Sequence, residues 1–251
     1  MPRTTAFAPG NYSYLPGGFQ YSAAVMADPG YMIERARLRE PLPLAQGFAR
    51  IQQHLMSIAR PLTALCACEL RSHAPMVEAD FIRFNRAYVQ PLTDWGICRN
   101  DINPVSRCNL IPVVDAPAEA VFYAFSYTMP AFANHSTAPD FATAGAAECP
   151  DRPGYREAIV RLGETSPDAL IEKLRFALGD TESRLELMGL SWKDVMETRL
   201  YTIHDLHHAM DAELARRGAA AGGIGWHWVR PPVQDLEIEV DTSRISRQIL
   251  L

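Results

Sequence analysis

One order of elements runs twice through this chain: strand, long helix, strand, short helix, strand, strand. In the first pass an irregular lead-in over residues 1–18 gives way to a strand, Phe19 to Met26. Asp28 to Pro43 is a polar, loop-like connection. Leu44, Phe48, Ile51, Leu55 and Ile58 then recur at helical spacing and form one apolar stripe, closed by Pro61. Leu62 to Leu70 reads as a strand, Asp80 to Gln90 as a short helix with Phe81, Phe84 and Tyr88 on one face, and Val121 to Tyr127 as the last strand. The segment 130–153 opens as a linker. In the second pass Phe141 to Ala147 is strand-like. Ser166 caps a helix that has Pro167 at its first position, Leu170, Leu174, Leu178, Leu185 and Met188 on one face, and Gly189 as its stop. Asp194 to Ile203 alternates as a strand, Asp205 to Arg216 reads as a helix, and Gly222 to Val229 and Leu236 to Val240 read as strands. The repeat predicts an α+β chain of two tandem domains, 1–133 and 134–251, each a mixed β-sheet backed by two helices on one face.

Composition narrows the function classes. The 251 residues are 48% hydrophobic and 21% charged, with a net charge of −5. No basic run exists, so the electrostatic footprint of a nucleic-acid binder is missing. No apolar run reaches membrane-spanning length and the N-terminus lacks a signal-peptide core, so a cytoplasmic protein is expected. The five cysteines, Cys66, Cys68, Cys98, Cys108 and Cys149, are odd in number and show no metal-ligand spacing. They read as reduced, mostly buried thiols.

The chemistry concentrates in Asn103 to Tyr127, NPVSRCNLIPVVDAPAEAVFYAFSY. Arg107 heads an apolar strand there. Its forked guanidinium suits a carboxylate, supplied either by a neighbouring Asp or Glu or by a ligand. Cys108 adjoins it and is the best thiol candidate for a reactive role. Asn85 is either a plain helix-surface amide or part of a pocket. Glu237 and Glu239 alternate out of phase with Leu236, Ile238 and Val240, which suits an exposed strand face. His204 and His208 can share a helix face, but no third ligand follows, and no metal is expected.

At this point the chain resembles the RidA/YjgF family. The likeness is carried in the second half by SPDALIEKLRFALGDTESRLELMGLSWKDVMETRLYTIHDL and in the first by DFIRFNRAYV and PVSRCNLIPV. The resemblance implies two RidA-like domains of chorismate-mutase-like fold, forming a trimer of two-domain chains. It also implies an enzyme that hydrolyses a reactive imine or enamine acid without a cofactor. Residue by residue it places Arg107 on the substrate carboxylate, with Cys108 and Asn109 beside it and Asn85 lining the pocket. The family's glutamate, associated with the attacking water, falls at Tyr123 in the first half and is kept as Glu237 in the second. Neither half carries the whole set. Either Glu237 completes a site with Arg107 across unlike halves, or only the first half keeps a pocket; the second reading is slightly favoured, because a ring of like domains would not place unlike halves side by side.

The expected function is deamination of a small carboxylate-bearing imine, enamine or aminomuconate-like compound, with release of ammonia. The alternative is a non-catalytic carboxylate-binding or assembly module. A weaker reading is a lyase or hydrolase of a cyclic carboxylate, as in the chorismatase relatives of this fold. Neither a nucleic-acid partner nor a membrane is expected.

Overall fold

The structure, a computed structural model, describes residues 3–251. Its N-terminal segment is not irregular: β1 (Thr5–Phe7) and β2 (Tyr12–Leu15) form a hairpin, followed by β3 (Ala24–Ala27). The polar connection is likewise a strand, β4 (Tyr31–Pro43), the longest of the chain. The charges that make it look like a loop, Glu34 and Arg35, are buried because Arg247 and Glu69 pair with them. Next come α1 (Leu44–Ser57), β5 (Leu65–Arg71), α2 (Glu78–Asp94), β6 (Ser106–Pro112) and β7 (Val121–Pro130). After the linker the strand read over Phe141 to Ala147 is split into β8 (Phe141–Thr143) and β9 (Ala146–Ala147). Then follow α3 (Pro167–Met188), β10 (Glu197–Thr202), β11 (Ile224–His227), β12 (Val229–Arg230), β13 (Ile238–Arg244) and β14 (Arg247–Leu250).

The strands make two mixed sheets. One runs β12-β6-β5-β7-β4-β14, and the other runs β1-β2-β3-β8-β13-β10-β11 with β9 also paired to β13. Helices α1 and α2 cover the first sheet, where Phe48, Ile51, Leu55, Tyr88 and Leu92 pack on Leu65, Phe122 and Phe125. Helix α3 covers the second through Leu170, Leu174, Leu178 and Leu185, as its stripe predicts. Ser166 accepts a hydrogen bond from the Ala169 N–H, and Gly189 ends the helix in the left-handed conformation. The second helix of the second half is reduced to a 3-10 turn, His207–Ala209, and a π-type turn, Met210–Ala215. Only Ala209, Glu213 and Leu214 of this stretch are buried, and Glu213 turns inward to meet Arg175 and Arg217. Leu206, Ala209, Met210 and Leu214 still pack against the core beneath α3.

The two halves interlace. The N-terminal strands β1–β3 extend the second sheet through β3–β8 pairing, and β14 joins the first sheet parallel to β4. A buried ion chain links the sheets. Arg35 grips Glu69 through Nε and Nη2 at 2.5 and 2.8 Å, Arg199 reaches Glu69 at 3.2 Å, and Arg199 is bidentate on Asp241 at 2.7 and 2.8 Å. Burial works to raise the Glu69 carboxyl, but Arg199 and Arg35 outweigh it and hold the group well below the usual carboxylate range. Among the described residues no helix is long and apolar enough to cross a membrane.

Candidate active site

Where β6 of the first sheet meets β9 and β13 of the second, the structure leaves a cavity of about 340 Å3. Phe19, Phe81, Ile82, Val233 and Leu236 make most of its exposed wall apolar, and polar side chains, among them Glu78, Asp151 and Arg152, stand between them. That composition is the usual one of a small-molecule site. Arg107 stands on β6 beside Cys68 of β5 and is 4% exposed. Its Nη1 donates to Asn85 Oδ1 of α2 at 2.6 Å. Tyr88, Tyr21, Phe81 and Phe84 surround the guanidinium, with ring centres 4.8, 5.2, 5.6 and 5.7 Å from its central carbon. Among the described residues no carboxylate lies within ion-pair distance of it. A buried cation held by one amide and aromatic faces is set to receive an anion from the cavity.

The second sheet supplies Glu239 of β13 to the same cavity, 5% exposed. Burial pushes its carboxyl up to about 8, Asp241 adds to the rise, and Cys108, Arg107 and Arg184 pull the other way. A carboxyl poised there is present in both proton forms near neutral pH and can take up or give a proton. Gly145, in the break between β8 and β9, makes room for it: a Cβ there would lie 1.7 Å from Glu239 Oε1. The Gly145 N–H donates to the Arg107 carbonyl at 3.4 Å, which ties that break to β6. Arg184 of α3 also lines the cavity, but its donors are spent on the Ala144 carbonyl at 2.8 Å and on Asp180 at 2.7 Å.

Residues 4–249 match the family described as 2-aminomuconate deaminase CnbZ. The chain belongs to this family. It is 44% identical over 254 residues, with both chains covered in full, to the 2-amino-5-chloromuconate deaminase of Comamonas testosteroni. Among solved structures it is similar to a chorismatase, with a TM-score of 0.53 at 13% identity over 88% of this chain and 77% of that one. The YjgF gene product of E. coli aligns with a TM-score of 0.31 at 17% identity, over 47% of this chain and 93% of that one. The chorismatase likeness shows the fold alone. The expectations of an α+β fold of this type and of an aminomuconate-like deaminase agree with membership of the CnbZ family.

The structure brings together some of the residues read from the sequence of this CnbZ-family chain and separates others. Arg107, Asn85 and Asn109 line the cavity, and Asn109 shares hydrogen bonds of 2.9 and 3.0 Å with Ser72. Cys108 is not a lining residue; successive strand residues face opposite sides, and its thiol packs with Leu110 and Tyr201. Glu237 is also absent from the cavity. It lies two residues along β13's approach from Glu239, where its carboxylate meets His204 Nε2 at 2.6 Å and Arg230 at 3.6 Å. Tyr123 stands outside the cavity too, its ring against Arg71, Arg37 and Arg35 at 4.2, 5.1 and 5.9 Å. The cavity is not confined to the first half, because Glu239, Gly145 and Arg184 come from the second. Sequence reasoning set Glu239 on an exposed strand face, whereas the structure buries it at the cavity, and it did not single out Tyr21, Gly145 or Arg184. The alternation in LEIEV marks Glu239 as a partner of Glu237 on one face, but not which of them faces a cavity.

Proposed function

We propose that this chain deaminates a 2-aminomuconate: a conjugated diene flanked by two carboxylates, with an amino group beside one of them. The observation that carries the reading is that one cavity is lined both by a buried guanidinium without an acidic partner, Arg107 of the first sheet, and by a proton-ready carboxyl, Glu239 of the second. Arg107 holds the carboxylate next to the amino carbon. Neutral Glu239 gives its proton to a diene carbon, which turns the enamine into an iminium, and water adds to the C=N carbon. The Glu239 carboxylate takes a proton from that water and passes it to nitrogen, which leaves as ammonia, and then takes the hydroxyl proton as the C–O bond becomes a carbonyl, so that Glu239 ends neutral as it began. One water is consumed, and one 2-oxo acid and one ammonia are formed. The iminium is already electrophilic, so holding the carboxylate and steering one water and one proton supply most of what the step needs. The same reading carries a homotrimer and a cytoplasmic setting, which light scattering and cell fractionation test.

The experiment is ammonia release from freshly generated 2-aminomuconate by wild type, Arg107→Ala and Glu239→Gln. The expected result is turnover by wild type, a loss of about 100-fold or more in kcat/KM in each variant, and retained folding by circular dichroism. Full activity in Glu239→Gln would remove Glu239 from the chemistry. Glu237→Gln is the control: its carboxylate faces His204, and it is expected to stay within about threefold of wild type.

A further inference from the structure

Among the described residues, Glu239 is the carboxyl of the cavity that meets a buried thiol. Cys108 Sγ lies 3.6 Å from Glu239 Oε1, a hydrogen-bonding distance for sulfur. Both residues are about 5% exposed. The thiol comes from the side of β6 that faces away from the cavity, among Leu110, Tyr201 and Val229. On the other side of the same oxygen, Gly145 offers only backbone. Oε1 is thus enclosed between a thiol and a glycine.

We propose that Cys108 is a positioning residue for Glu239: its S–H donates to Oε1, fixes the carboxyl against Gly145, and leaves Oε2 to face the substrate and its water. The proposal rests on the reading of Glu239 as the proton carrier. The groups that face Glu239 are Asp241 on its own strand, Arg107 and Cys108 on β6, Arg184 on α3, Tyr21 ahead of β3 and Cys149 after β9. Among the described residues, Cys108 alone reaches its carboxyl within hydrogen-bonding distance. The other charges act through space and set a background. Cys108 is a fixed donor, since burial pushes its thiol well above the usual range and keeps it protonated. It is also a weak donor. A hydroxyl in its place would favour the carboxylate more and leave less of the acid form to return a proton to nitrogen. A thiol steadies the carboxyl without draining its basicity.

The test is an infrared titration of the Glu239 carboxyl in wild type, Cys108→Ala and Cys108→Ser, each as a difference against its own Glu239→Gln background. The pH dependence of kcat/KM for ammonia release is measured alongside. Removing the donor in Cys108→Ala is expected to move the Glu239 midpoint up by about half a pH unit, an approximately threefold loss of ionised carboxyl below the midpoint. Cys108→Ser, nearly isosteric and safe for folding, is expected to move it down. In wild type the S–H stretching band should shift as Glu239 ionises, and stay still in Glu239→Gln. The proposal is overturned by an alanine curve that superimposes on the wild-type curve, or by an S–H band indifferent to pH. Because the infrared titration needs no turnover, it still decides the role of Cys108 if Glu239→Gln keeps full activity and the reaction assignment fails.

Discussion

Arg107 Nη1 and Asn85 Oδ1 are 2.6 Å apart, and this amide is the guanidinium's one hydrogen-bonded partner among the described side chains. The amide orients the fork without neutralising it. Asn85→Asp would put a carboxylate in the same place, with nearly the same shape. It is expected to pair with Arg107 and compete with the substrate carboxylate, raising KM for 2-aminomuconate by about 10–100-fold while the melting temperature holds or rises. An unchanged KM would mean that Arg107 does not meet the substrate's charge.

Glu239 also links the site to pH. Its carboxyl sits at about 8 in the fold, above the ordinary 4.5. The neutral group is therefore favoured by folding: its contribution is fully present below about pH 4.5 and is lost as pH rises through about 8. Glu239→Gln cannot ionise. Its melting temperature is expected to track wild type at pH 5 and to exceed it at pH 9 by several degrees, at about 2–4 °C per kcal/mol. Parallel melting curves across that range would show that Glu239 titrates normally.

A 2-aminomuconate carries a second carboxylate, and the cavity rim carries a second guanidinium. Arg152 lines the cavity, is exposed, and has no acidic partner within ion-pair distance among the described residues. Arg152→Gln is expected to weaken inhibition by muconate, a dicarboxylate, by about 3–10-fold, a modest effect because the group is solvated. Inhibition by sorbate, a dienoic monocarboxylate, should be unaffected. Equal loss for both inhibitors would argue against a distal subsite.

The ion chain between the sheets is a structural demand rather than a catalytic one. Arg199 serves both Glu69 and Asp241, and all three are well buried. Arg199→Met leaves two buried carboxylates short of a partner and is expected to cost about 3–5 kcal/mol. Urea unfolding would show this as a lower midpoint with an unchanged slope. A midpoint equal to wild type would mean the chain is solvated enough to replace Arg199 with water.

Much of the frame was legible in the residues. The stripes of α1 and α3, the Ser166 cap and the Gly189 stop are local signals, and each lies where its pattern places it. Arg107 and Asn85 were placed at one pocket by the resemblance to the RidA/YjgF family, and the structure sets them in hydrogen-bond contact. β4 was not legible, because Glu34 and Arg35 look solvated until Arg247 and Glu69, far along the chain or on another strand, come to meet them. The stretch from Asp205 was read as one regular helix, but it forms a 3-10 turn and a π-type turn whose buried side chains include a glutamate, Glu213, paired with Arg175 and Arg217.

By itself the sequence determined helices α1 and α3, the α+β class and Arg107 as a guanidinium on an apolar strand, because periodicity and side-chain chemistry are properties of short stretches. Only the tertiary structure decided which glutamate shares a cavity with that guanidinium. The alternation of LEIEV puts Glu237 and Glu239 on one side, and two residues of extended chain carry a side chain about 7 Å along without changing that side. The choice was made by what the other elements bring: His204 claims Glu237, while the Gly145 gap and the Cys108 thiol receive Glu239.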